Sequence, residues 1–515
     1  TDRITDAEAE EYVTDLFFTY GPDYIALDVT EQNQAKVSEI VESGEDDMRR
    51  LHEVETRLWS LLLALGRSLI ALYLSRRASR IASEFYEHDK ARYFVTKREQ
   101  RSSKLGTIFG NVLFTRPVGR PISNGRGASD LFVDRALGVV SGFSLMVVLH
   151  LTRLSAQMPF ARARETFRNF VEWAPSPRAT LRMVDALGPE ALEYMLTAPC
   201  PDDDGEVLVI ECDAGGNPTI TPSEYEKRCQ PKNKQKPSTR KARKAQRQSH
   251  KKRERSKGKS KNAKAAIIGV VYTLRMNKNG SVEGPLNKRV IATHESHEQL
   301  FKLLEVVATK RGYGKKKTIF LSDGSQHILE RQRRFFPDAI PCLDWCHATE
   351  YIWTACGCFN KERSKKLKKT AQWLKKRMLS GDIEGVIEFL QKKFDGIPKK
   401  GPGNKGRRER LEKTINYLDK NKDRLQYADL KKAGLPIGSG VVEGTIRNLV
   451  RQRLDCSGMR WGLDRSEHIL HLRCVFLNKQ WDHFGRYLET RNLHLAAQPQ
   501  PARPYDAKPM QAKSA

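Results

Sequence analysis

The chain has 515 residues, room for about three domains at roughly 150 residues each, and its 91 Lys and Arg against 62 Asp and Glu give a formal charge of +29 and a pI near 9.7. That excess argues for a polyanionic partner, nucleic acid above all, and nine cysteines in so long a chain exclude a disulfide-held scaffold. The opening TDRITDAEAEEY has no basic start followed by an apolar run and a cleavage site, so a cytoplasmic address is expected.

Residues 1–90 read as a helical N-terminal region. Its most apolar stretch, LWSLLLALGRSLIALYL at 58–74, is interrupted by Arg67 and falls short of the roughly 20 apolar residues of a bilayer span, which leaves a core or dimerisation helix. Residues 91–200 carry a strand candidate at 106–118, GTIFGNVLFTRPV, and then the turn-rich, basic GRPISNGRGASD. In FARARETFRNFVEWAPSPRATLRMVDALG two helical segments are separated by Ala174, Pro175, Ser176 and Pro177, with Ser176 as N-cap and Pro177 as the first helical residue. The layout fits a DNA-binding helix-turn-helix whose second helix turns Arg178 and Arg182 outward; an ordinary helical hairpin fits it as well.

From 206 the pattern changes to strands: EVLVIECD, AAIIGVVYTLRM (265–276) and NKRVIATHES (287–296). A helix at 297–311, strand TIFLSD, a helix at 325–335 and strand AIPCLDW complete residues 201–360. Three strands, a helix, a strand, a helix and a strand is the order of an RNase H-like α/β fold. Between the first two strands the run 227–264 holds 18 Lys and Arg, Lys251, Lys252 and Arg253 among them, against Glu254 alone. Such a segment cannot bury apolar surface and is expected to stay disordered until it meets phosphates, which it would grip without regard to sequence. A basic helical insertion is expected at 361–435, the end of the core at 436–490 and a disordered tail at 491–515.

Three acids stand at expected boundaries between a buried element and a loop: Asp213 in VLVIECDAGG, Asp323 in TIFLSDGSQH and Glu443 in PIGSGVVEGTIRN. Carboxylates presented from separate elements can hold two divalent ions against a phosphodiester, and Mg²⁺ (or Mn²⁺) takes oxygen ligands while leaving positions open for phosphate. On the Glu443 helix, Val442, Ile446, Leu449 and Val450 make a buried side, and Glu443, Arg447 and Arg451 share a neighbouring face that can touch DNA. Arg453, Arg460 and Trp461 follow in a stretch suited to gripping backbone and stacking on a base, with core packing the other reading for Trp461. Cys342, Cys346, Cys356 and Cys358 show no CxxC pair and read as buried thiols before they read as a zinc site.

The blocks LSDG, LDWCHATEYIW and PIGSGVVEGTIRNLVRQRLDCSGMRW resemble the DDE transposases of ISKra-type bacterial insertion sequences, relatives of the Mutator-like group. The likeness extends to TIFGNVLFTRPV, RALGVVSGFS, PSPRATLRMVDALG, SEHILHLRC and QWDHF, and so spans most of residues 90–485. It implies that Asp213, Asp323 and Glu443 are the metal-binding carboxylates, with two ions per site. It also implies that Asp344 and His347 form a D-x-x-H signature beside the catalytic centre. The expected activity is cleavage at element ends and joining of 3′-hydroxyls to target DNA, by at least a dimer associated with the bacterial nucleoid. The rivals are a non-catalytic DNA-binding regulator derived from a transposase and an RNase H-like nuclease that cuts without joining. The 227–264 run departs from the family in its charge.

Overall fold

A computed structural model of the chain describes residues 22–42, 50–88, 93–121, 132–140, 142–229, 263–278, 281–456 and 458–490. Most of the 227–264 run, Lys251, Lys252 and Arg253 included, and the 491–515 tail lie outside them. The chain divides into two units: residues up to Glu190 together with those from Trp481, and Ala191–Gln480.

The first unit contains α1 (Pro22–Glu42), α2 (Leu51–His88), the hairpin β1 (Tyr93–Thr107) and β2 (Gly110–Pro121), α3 (Phe132–Ala136), α4 (Leu145–Gln157), α5 (Phe160–Val171) and most of α6 (Pro177–Thr197). The stretch expected as a single strand at 106–118 folds as two, because the chain turns at Ile108 and Phe109 and Gly110 takes φ +124°; a residue with a Cβ is strained there. Helix α2 buries Leu63 and Leu74 and leaves Trp59, Leu62, Leu69 and Tyr73 exposed. By length and composition alone Leu51–Arg77 is apolar enough to cross a membrane, Arg67 notwithstanding, and only 17% of its apolar window is buried. Ser176 caps α6 as expected, its Oγ accepting from Ala179 N at 3.2 Å, and both Arg178 and Arg182 are exposed.

The second unit is built on a mixed five-stranded sheet. Its elements are β3 (Val207–Pro218), α7 (Pro222–Cys229), β4 (Ala263–Met276), β5 (Val282–Thr293), α8 (His297–Lys310), β6 (Lys317–Ser322), α9 (Gln326–Phe335), β7 (Ile340–Leu343) and α10 (Trp345–Phe359). Four helices follow as the insertion, α11 (Lys365–Leu379), α12 (Ile383–Asp395), α13 (Asn404–Lys420) and α14 (Tyr427–Lys432), with a 3₁₀ turn at Lys422–Arg424 before the last. Then come α15 (Gly440–Ile446), a π-helical stretch Arg447–Arg451 and α16 (Leu463–Leu477).

The spatial order is β5-β4-β3-β6-β7, antiparallel among the first three and parallel from β3 through β7. Alternate residues of a strand face opposite sides, and β3 uses both. Leu208, Ile210 and Cys212 join Ile267 and Val271 of β4 and Leu300, Phe301 and Leu304 of α8 in the main core. Gly269 admits α8 to this face, since a Cβ there would lie 2.5 Å from Leu304. On the other face Glu211, Asp213, Gly215 and Asn217 meet α15, the π stretch and α16: Ile446 packs on Gly215, and Asn217 donates to Ser466 Oγ at 2.5 Å.

Candidate functional site

The parallel pairing of β3 with β6 ends at Cys212 opposite Ser322. Asp213 and Asp323 are therefore the next residues on two adjacent strands, at the carboxyl edge where open α/β sheets place their ligands. Asp213 is not a strand terminus, however. Strand β3 runs on to Pro218 because β4 keeps pairing with it, Asp213 opposite Ile268. Both acids are half-buried. Burial, then the neighbouring Asp323 and Glu443, push the Asp213 carboxyl above its ordinary value, against hydrogen bonding from Ala214 N and the influence of His347.

The Asp323 loop is held from the insertion. Arg424, 2% exposed, donates from Nη2 to Asp323 O at 2.9 Å and to Ser322 Oγ at 2.6 Å, and from Nη1 to Asn421 Oδ1 at 3.0 Å. Asp323 Oδ1 accepts from Ser325 N at 2.9 Å, fixing the turn into α9. A Cβ on Gly324 would lie 2.1 Å from the Tyr417 ring of α13, so a glycine is what lets that ring cover the loop.

Glu443 is exposed in the first turn of α15, and the expected buried side of its helix, Val442, Ile446, Leu449 and Val450, is buried. Two carboxyl groups pin that turn from below. Asp344 Oδ1 accepts from Ser439 N at 2.7 Å, and Glu211 Oε2 accepts from Val442 N at 2.7 Å. Arg473 of α16 secures the π stretch, donating from Nε to Leu449 O at 2.8 Å and from Nη2 to Asn448 O. A π turn replaces the regular helix expected between Glu443 and Arg451, a departure that recurs at functional sites.

Asp344 and His347 open α10. Asp344 is 1% exposed and is the N-cap, its Oδ2 accepting from His347 N at 2.8 Å. The D-x-x-H spacing is therefore that of a capping turn, and it leaves His347 half-exposed and near enough to Asp213 to lower that carboxyl. The donor atoms of Asp344, Cys346 and Glu443 lie within 4.8 Å of one another, a set that could hold a metal ion. Cys342, Cys356 and Cys358 are buried thiols as expected, whereas Cys346 is exposed at the site.

Glu211, Cys346 and Arg424 are the residues that sequence reasoning missed. Glu211 left a signal, a charge inside the apolar strand VLVIECD two residues before Asp213 and so on the same face. It is fully buried, and its carboxyl is pushed up to about 7 by burial foremost and by the nearby Asp344 and Glu443, against hydrogen bonds from Tyr272 and Val442 N. Arg424 left none, being one of 23 Lys and Arg between 361 and 435.

Arg447, Arg451 and Arg460 are exposed, but Arg453 and Trp461 are not where a nucleic acid could meet them. Trp461 is 6% exposed, donates from Nε1 to Leu454 O at 2.9 Å, and continues the end of β3 through Ile220 N to Trp461 O at 2.8 Å. The Arg453 guanidinium lies over its ring, 4.7 Å from the centroid, where burial lowers the arginine to about 10. Expected as a phosphate grip and a stacking platform, this pair is a cation–π contact inside the unit. No family model matches the chain, and no curated protein matches it.

Proposed function

We propose that the chain is a DNA transposase with an RNase H-like catalytic domain, which binds the ends of its element, cleaves there and joins the freed 3′-hydroxyls to target DNA. The observation that carries this reading is that Asp213, Asp323 and Glu443, from β3, the β6 edge and α15, come near enough for Asp323 and Glu443 to raise the Asp213 carboxyl. The order of the five strands and the helices α8 and α9 between them supports the fold assignment. The charge supports the substrate. Residues 361–435 hold 23 Lys and Arg against 10 Asp and Glu, and once these and the 227–264 run are set aside the chain keeps 50 basic and 51 acidic residues. The positive charge thus belongs to two segments that lie, in sequence, between Asp213 and Asp323 and between Asp323 and Glu443.

An all-carboxylate set suits Mg²⁺ or Mn²⁺, and the crowding that lifts the Asp213 carboxyl is what a bound dication relieves. Held by Asp213, Asp323 and Glu443, two such ions would supply activation of the attacking oxygen and neutralisation of the departing 3′-oxygen. The protein itself contributes position: two acids on adjacent strands, a third on a helix whose first turn is pinned, and His347 beside Asp213. In-line phosphoryl transfer draws most of its acceleration from such placement, and no side chain has to act as nucleophile. Pairing two element ends calls for at least a homodimer, for which the exposed Trp59, Leu62, Leu69 and Tyr73 of α2 offer an apolar surface.

A strand-transfer assay with a pre-cleaved end, target DNA and Mg²⁺ tests the proposal, joined product being the expected result. Cleavage of an intact end without joining would assign a nuclease instead. End binding with neither reaction would assign a DNA-binding regulator.

A further inference from the structure

Glu211 is completely buried in the central strand of the sheet, where a carboxyl group is costly unless its lone pairs are met. Its two oxygens are met by different elements. Oε1 accepts from Tyr272 Oη of β4 at 2.7 Å, and Oε2 accepts from Val442 N at 2.7 Å. Tyr272 pairs with Val209, so Tyr272 and Glu211 are diagonal neighbours on one face of the sheet. Val442 N is among the first-turn amides of α15 that no intrahelical carbonyl can satisfy. Asp344 takes a neighbouring one, Ser439 N, from the end of β7. One peptide after Val442 stands Glu443, and two residues after Glu211, on the same face, stands Asp213.

An apolar side chain of the same volume would avoid the cost of burying a carboxyl group but would leave Tyr272 Oη and Val442 N without their acceptor. What an apolar side chain cannot do is tie the backbone of Glu443 to the strand of Asp213. We propose that Glu211 is a positioning residue, one that fixes the spacing between Asp213 and Glu443 by holding Val442 N to β3 while Tyr272 orients its carboxyl group. The proposal rests on the reading of Asp213, Asp323 and Glu443 as the metal-holding set, and goes beyond it by assigning the group that sets their separation.

Two variants of the full chain separate this role from others. In Glu211→Gln the amide oxygen can accept from Val442 N while Nε2 donates to Tyr272 Oη, so the bridge survives without its charge. Glu211→Leu fills the space and leaves Val442 N unpaired. Loss of a group that orients a metal ligand typically costs about 10- to 100-fold in metal affinity or activity. Glu211→Leu should therefore slow Mg²⁺-dependent end cleavage by that factor and raise the Mg²⁺ concentration for half-maximal rate, with end-DNA affinity unchanged. Glu211→Gln should recover most of the loss. Hydrogen exchange of the 439–446 amides, read without metal or DNA, should quicken in Glu211→Leu and not in Glu211→Gln. A Gln variant as slow as the Leu variant would overturn the proposal in favour of a ligand or proton-transfer role, and wild-type rates in both would overturn it in favour of packing alone. If the wild-type chain cleaves nothing, the functional reading fails while the exchange comparison still decides whether Glu211 holds the turn.

Discussion

Asp204 precedes β3 and Asp213 follows its continuously buried stretch Val207–Cys212, and the fold treats them in opposite ways. Asp204 receives Arg311 in a two-point contact, Nε to Oδ2 at 2.8 Å and Nη2 to Oδ1 at 2.7 Å, with Lys316 Nζ at 3.1 Å and Thr273 Oγ1 also donating. Burial alone would raise its carboxyl; the bonds from Arg311 and Thr273 overcome this and hold it well below the usual range. Asp213 is raised by burial and raised again by two acids at its side. At one end charge is matched, and at the other it is stacked against its like. Matched charge holds the fold together, whereas like charges gathered at a sheet edge are only partly offset, an arrangement common where ligands bind.

The largest expected effect lies at the crowded end. Asp213→Asn, Asp323→Asn and Glu443→Gln should each abolish Mg²⁺-dependent cleavage while end-DNA affinity stays near wild type, since no remaining carboxylate can take the missing place. Asp213→Asn should also raise the thermal midpoint in metal-free buffer, because it removes one charge from a repelling group. Near wild-type cleavage by any of the three would strike that residue from the set, and a lowered midpoint for Asp213→Asn would erase the contrast with Asp204.

The matched end should answer in stability alone. Arg311 is 4% exposed, and removing one partner of a buried pair costs about 3–5 kcal/mol. Arg311→Met should therefore lower the unfolding free energy of the sheet-bearing unit by that amount, and adding Asp204→Asn should restore much of it. A cost below about 1 kcal/mol would mean that the pair is solvated and that the two ends differ less than their geometry implies.

This contrast also sets what sequence could reveal. The strands were legible because long apolar runs such as VLVIECD and AAIIGVVYTLRM bury both faces, and Asp213 and Asp323 stood out because each ends such a run. Side chains that act through distant partners were not legible. Arg424 reaches Ser322 across 102 positions and Glu211 reaches Val442 across 231, and no local pattern records either bond. Trp461 misled for the same reason, since its neighbours in sequence are basic while its neighbours in space are the end of β3 and Arg453. The turn at Ile108 and Phe109 was hidden because apolar residues occupy it.

A second matched carboxylate gives a pH test. Burial raises Glu467, but contact with His471 Nε2 at 3.1 Å and bonds from Thr293 Oγ1 at 2.5 Å and His294 N at 2.6 Å bring it down to about 2. A depressed carboxyl contributes stability that is present above its unfolded value near 4.5 and is lost as pH falls toward 2. The shift corresponds to about 3 kcal/mol at 1.36 kcal/mol per unit. His294, which burial holds below its ordinary value, must also charge as pH falls, and steepens the loss. Glu467→Gln should flatten the acid limb of a stability curve measured between pH 5 and pH 2, to a degree set by about that energy. An unchanged limb would place the acid sensitivity elsewhere.

The smallest effects belong to cations outside the cluster, and they decide whether charge there is matched by DNA. Arg447 and Arg451 are exposed one and two turns beyond Glu443. Each phosphate contact contributes about 0.9 to the slope of log affinity against log salt on duplex DNA. Arg447→Ala and Arg451→Ala should therefore each make that slope shallower by about one, across all sequences alike, because such contacts read phosphates and not base edges. Deleting residues 230–262, which spares α7 and β4, should flatten it by several contacts' worth and leave discrimination between element ends and random DNA intact. An unchanged slope in either arginine variant would mean that the Glu443 face does not lie on DNA.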